Sequence, residues 1–111
     1  MSRFTRCDLV FAPDPFKGSS NPRPWVIISD SKMPFPGDLL TLACTRSDYP
    51  DNHEITSQDL ESGGMPSQTT YCSPWLIATL KPQDIRHKQG TLSKPFTDRV
   101  AKQAVTYIET G

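Results

Sequence analysis

The apolar residues of this 111-residue chain come in short runs, and prolines or polar turns close each of them. CDLVFA (7–12) is stopped by Pro13 and Pro15 and reads as a first strand. DPFKGSSNPRP (14–24) consists of turn formers with one Lys and one Arg, which predicts a surface loop. WVIIS (25–29) is rich in β-branched residues and predicts a second strand. After the loop SDSKMPFPG, DLLTLACT (38–45) predicts a third, and its unbroken apolar character predicts burial on both faces. RSDYPDN reads as a polar turn, HEIT as a short strand, and DLESGGMPSQ (59–68) as a loop. TTYC and WLIATL (75–80) restore strand character, with Pro74 expected to break them apart.

The period changes at the end of the chain. Phe96, Val100, Ala104 and Tyr107 or Ile108 recur at helical spacing, which gives KPFTDRVAKQAVTYIETG one apolar face. Ser93 is placed to cap this helix, and Pro95 falls in its first turn, where a missing N–H costs nothing. Five or six short, mostly antiparallel strands and one C-terminal helix predict a mainly β protein. The expected form is a small barrel with the helix over an open end.

Length predicts a single domain spanning 1–111. Twelve basic and twelve acidic residues leave no formal net charge, which argues against bulk electrostatic attraction to nucleic acid. A local basic site stays open. Cys7, Cys44 and Cys72 show no CxxC or Cys/His ligand spacing and read as buried thiols, so no metal or other cofactor is expected. No apolar segment follows Met1 and no run of 18 apolar residues occurs, so the expectation is a soluble, cytoplasmic protein without membrane contact.

Arg23 is the first candidate for chemistry. Pro22 and Pro24 flank it and restrict the backbone on both sides, so its guanidinium is aimed with little freedom left to lose. Lys17 shares its segment, and a guanidinium fits the fork of phosphate oxygens. At the end of the third strand, Thr45 and Ser47 offer hydroxyls with Arg46 between them. Each of these could equally be a solvated loop residue, with Thr45 capping a turn. Trp75 reads as core or, second, as a platform on which a base could stack. His53 and His87 lack partners at catalytic or metal spacing and read as surface or edge-strand residues. Asp48, Asp51, Glu54, Asp59 and Glu61 read as a solvated acidic stretch. No P-loop, nucleophile elbow, HExxH or dinucleotide fingerprint is present.

The order of the pieces resembles the MazF/PemK family of toxins, nearer its PemK-like branch. CDLV stands where members open with a Gly-Asp-Val-type strand. Arg23-Pro24 precedes a Val/Ile-rich strand, Cys44-Thr45 ends the next long one, and SPWLIATLKPQDIRHKQGTLS (73–93) looks like the family's later region. The resemblance covers nearly the whole chain. It implies an SH3-like, CcdB/MazF-type barrel, a homodimer, and a toxin neutralised by a cognate antitoxin protein. It also implies metal-independent, sequence-selective cleavage of single-stranded RNA by attack of a 2′-hydroxyl on the neighbouring phosphate. Arg23 and Thr45 would then be catalytic, and Lys17, Arg46, Ser47 and Trp75 would bind RNA. Where some members supply a second Arg and an acid from a later strand, this chain reads SPWLIATL and offers neither. Asp14, His53 or a loop carboxylate are the candidates for a base. The alternative is a non-catalytic module of the same fold that binds a protein or nucleic-acid target.

Overall fold

In the computed structural model the described residues are 3–35, 37–64 and 68–109, the side chains of 18–21 apart. Seven strands and one helix follow in chain order. They are β1 (Asp8–Asp14), β2 (Gly18–Ile27), β3 (Leu39–Thr45), β4 (His53–Glu54), β5 (Leu60–Gly63), β6 (Tyr71–Leu80), β7 (His87–Leu92) and α1 (Lys94–Ile108). The strands form one antiparallel sheet in the order β4-β6-β3-β2-β1-β7-β5. Its two edge strands, β4 and β5, are joined by residues 55–59 alone. Laid flat, six strand spacings would separate those edges by about 29 Å, beyond the roughly 21 Å that so short a link can reach. The sheet therefore curls into a half-barrel, as the expectation of a small barrel with a C-terminal helix requires.

Both faces of this sheet are buried. Leu9, Val26, Leu42, Cys44 and Cys72 turn to one side and pack with Phe96, Val100 and Ala104 of α1. Their neighbours Val10, Trp25, Ile27, Ala43, Ala78 and Leu80 turn to the other, joined by Phe4 and Ile85. This two-sided burial is what the unbroken apolar run of β3 predicts. Ser93 caps α1 by accepting from the Phe96 N–H at 3.2 Å, with Pro95 in the first turn.

Three expectations need correction, each for a reason visible in the ladder. The segment 14–24 is not all loop, because β2 begins at Gly18 and carries Pro22, Arg23 and Pro24 opposite Pro13, Ala12 and Phe11 of β1. β3 pairs with β2 only over Trp25–Ile27, so both prolines sit where one side of β2 has no neighbouring strand, a place that tolerates them. Pro74 does not break the strand around it. It lies within β6 where the pairing shifts from Leu42↔Ile77 to Cys44↔Cys72, so extra residues bulge out and no ladder bond is asked of the proline. Finally, residues 60–63 of the expected loop form β5 and residues 87–92 form β7, neither foreseen as a strand. Both are polar, and they are held by pairing with each other and with β1 rather than by apolar content. Gly63 makes the close approach possible: at φ +88° it sits where a Cβ would come within 2.4 Å of the Gln89 carbonyl oxygen.

Candidate functional site

The two proline-bearing irregularities of the sheet border the same pair of clefts. Trp25 pairs with Ala43, the ladder between β2 and β3 stops there, and Arg23 and Thr45 lie just beyond it. Lys17, Arg23 and Thr45 together line two adjoining clefts of about 520 and 630 Å³. The first has a largely polar lining, with Arg46, Gln68, Thr70 and Gln89 beside Phe11. The second is aromatic, with Phe16, Tyr49 and Trp75 beside Leu76 and Ser47. Trp75 reaches it because the β6 bulge turns it outward; it is 39% exposed, which corrects the core reading.

Arg23 is fixed from its own side. Its Nε lies 3.5 Å from Asp14 Oδ2, and the Asp14 carboxylate is itself buried, with its other oxygen accepting from the Phe16 N–H at 2.8 Å. A carboxylate held in this way grips the inner edge of the guanidinium, and the Nη groups make no bond to any described residue. Thr45 does cap a turn: its hydroxyl accepts from the Ser47 N–H at 3.3 Å, which leaves its own proton to donate. Asn52 braces that turn, giving an N–H of its side chain to the Ser47 carbonyl at 2.8 Å and receiving the Ser73 hydroxyl at 2.7 Å. Among the described residues Lys17 and Arg46 have no carboxylate partner. The charged residues lining the clefts are thus three cations and one carboxylate, in a chain whose net charge is zero.

The histidines divide. His53 Nε2 bonds to Gln103 Oε1 of α1 at 2.5 Å, and it lines neither cleft. Gln103 gives an N–H to the Tyr107 hydroxyl, which donates to Asp51 at 2.9 Å. Burial first, and the bond to Asp51 second, hold the Tyr107 hydroxyl above its usual range. His87 stacks on Phe11 with ring centroids 5.2 Å apart, so it borders the polar cleft from behind that ring. The described residues hold no group of acidic, His and Cys side chains arranged to bind a metal ion. None of their helices is long and apolar enough to cross a membrane.

The residues singled out in the sequence, Arg23, Thr45, Lys17, Arg46, Ser47 and Trp75, each line at least one cleft. Phe11, Gln68, Thr70 and Gln89 on one side, and Tyr49 and Leu76 on the other, line them without having been expected. Phe11 had a signal, since its neighbours in β1 alternate faces; Gln89 had none, because β7 itself was not legible.

No protein-family model matches the sequence, and no curated protein does. Solved structures do match in shape. An endoribonuclease in complex with its cognate antitoxin from a mycobacterial species superposes with a TM-score of 0.68 at 18% identity, over 96% of this chain and 93% of that one. The Mycobacterium tuberculosis toxin MazF-mt6 gives 0.66 at 12% identity, over 90% and 93%. The MazE–MazF structure from Deinococcus radiodurans gives 0.66 at 14%, over 97% of both. A half-barrel of seven antiparallel strands with its C-terminal helix on one face, matched along nearly the whole of both chains, is the MazF-type fold.

Proposed function

We propose that this chain is the toxin of a toxin–antitoxin pair, an endoribonuclease that cuts single-stranded RNA in the cytoplasm without a metal ion. The observation that carries the reading is the meeting of Arg23, Lys17 and Thr45 on two adjoining clefts, on a fold shared with named endoribonucleases. A backbone phosphate at the shared wall would place one flanking nucleotide against Gln68 and Gln89 and the other against Trp75 and Tyr49. The first environment reads base edges by hydrogen bonds; the second stacks bases with little regard to sequence.

In the reaction the 2′-oxygen attacks phosphorus, the bond to the next 5′-oxygen breaks, and a proton passes from the 2′-hydroxyl side to the leaving oxygen. The products are a 2′,3′-cyclic phosphate and a 5′-hydroxyl. Charge grows on the non-bridging oxygens as the phosphorane forms, and fixed donors aimed at that charge contribute most of the acceleration. Arg23, gripped by Asp14 and with its outer edge free, is such a donor, and the Thr45 hydroxyl is a second. Asp14 acts as a positioning residue for the guanidinium. A homodimer would set two copies of this surface side by side, and an antitoxin segment rich in acidic residues would cover the same cations. The test is a long single-stranded RNA incubated with the protein in EDTA. Discrete fragments ending in cyclic phosphates are expected. Intact RNA after exposure to folded protein would overturn the reading.

A further inference from the structure

Antiparallel pairing of β3 with β6 sets Cys44 directly opposite Cys72. Both are free thiols, 1% and 0% exposed, on the side of the sheet that faces α1. Residues directly opposite in such a pair have Cα atoms about 4.5–5.5 Å apart, within the roughly 4.4–6.8 Å that a disulfide bridges. The bond with Cys44 first, and burial second, push the Cys72 thiol well above its ordinary value. Both are buried, and they differ in what they border. Cys44 contributes to the wall of the polar cleft, whereas Cys72 lines neither cleft. Cys7 stands apart, before β1 and two strands away from β3, about 10 Å across the sheet.

We propose that Cys44 and Cys72 are a peroxide-oxidisable dithiol whose closure to a cross-strand disulfide alters the strand end that carries Thr45. Hydrogen peroxide entering the polar cleft meets Cys44. Its O–O bond breaks, a sulfur–oxygen bond forms, and one water leaves, so Cys44 becomes a sulfenic acid. The Cys72 sulfur then attacks the Cys44 sulfur, the S–S bond forms, and the hydroxyl departs as a second water with the Cys72 proton. Two thiols lose two electrons and two protons, and the peroxide becomes two waters. A reducing cytosol keeps the pair open until oxidant appears. An S–S bond of about 2.05 Å is shorter than any contact between two thiols, so closure shifts side chains of β3 and β6 beside the register shift, one residue from Thr45. Displacement of a reacting group by about 1 Å can cost two orders of magnitude in rate.

The experiment treats native protein, wild type and Cys7→Ser, with hydrogen peroxide, then unfolds it and alkylates the remaining thiols. The expected result is the loss of two hydrogens, a peptide pair joining Cys44 to Cys72, and reversal by dithiothreitol. Unchanged alkylation of all thiols, over-oxidation of Cys44 without a link, or a link through Cys7 in the wild type would each overturn the proposal. RNA cleavage is a second readout, and it rests on the ribonuclease reading. Oxidation should slow cleavage at least tenfold and dithiothreitol should restore it, whereas an unchanged rate in linked protein would overturn the coupling to Thr45. Reduced protein that cuts no RNA while the link still forms would sink the ribonuclease reading and leave the thiol pair standing.

Discussion

Around His53 the polar side chains are used up on one another. The imidazole meets Gln103, Gln103 meets Tyr107, and Tyr107 donates to Asp51, in a chain that ties the β4 edge and the turn before it to α1. Around Arg23 the same kinds of group are left open. Only the inner edge of its guanidinium is paired, Lys17 and Arg46 have no carboxylate partner among the described residues, and the Thr45 hydroxyl keeps a proton to donate. A histidine, a tyrosine and an aspartate look more catalytic on paper than a threonine and a lysine. What separates the two places is satisfaction: a closed network holds structure together, and donors left facing a cleft can act on something else.

The largest effect expected of breaking this contrast is at Arg23. Arg23→Ala should lower kcat/KM for RNA cleavage by about 10²–10³, the usual cost of removing one donor aimed at developing charge. Arg23→Lys, which keeps a cation beside buried Asp14, should recover little of this, because a point charge lacks the second prong of the fork. Circular dichroism on both variants separates lost chemistry from lost fold.

Next come Lys17→Ala and Arg46→Ala. Each should weaken RNA binding and reduce the slope of log affinity against log salt by about 0.7, the share of one phosphate contact on a single strand. A slope that does not change would mean that these cations stay in solvent when RNA binds.

That much of the site could be read from sequence has a physical reason. Pro22 and Pro24 mark Arg23 as a residue whose backbone is fixed in advance, and the end of an apolar run marks Thr45 as the point where β3 surfaces. Both signals are local. Gln89 could not be found, because its place depends on the pairing of β7 with β1, far along the chain. The same holds for the fold. The helix and the apolar strands are written in periodicity, whereas β5 and β7 are polar elements that only the rest of the sheet makes into strands. Proline misled in both places where an irregular ladder had room for it.

On the closed side, His53→Ala should leave RNA cleavage within about twofold of wild type and lower unfolding stability by about 1 kcal/mol, the typical net worth of a side-chain hydrogen bond. Cleavage assays and urea denaturation on one preparation check both halves. A large loss of cleavage from this change would erase the distinction between the regions.

The smallest effect concerns pH. The hydrogen bond from Lys94 first, and that from Arg6 second, hold the Asp98 carboxyl below its ordinary value, at 2.6 and 2.7 Å. A depressed carboxylate lends stability that is present above its unfolded value of about 3.9 and is lost as pH falls through the folded value. Asp98→Asn should therefore flatten the acid limb of stability below about pH 4 and leave cleavage at neutral pH unchanged. Asp98 is 43% exposed, so solvent screening keeps the change modest. An acid limb as steep as that of wild type would show that the pairs to Arg6 and Lys94 carry no weight in solution.

The most direct test of the account is an amide and side-chain NMR titration with a single-stranded oligonucleotide made uncleavable by 2′-deoxy substitution. Lys17, Arg23, Thr45 and Arg46 should shift together along one binding curve, with His53 and Gln103 unmoved. Shifts confined to the His53 side, or none at saturating oligonucleotide, would contradict it.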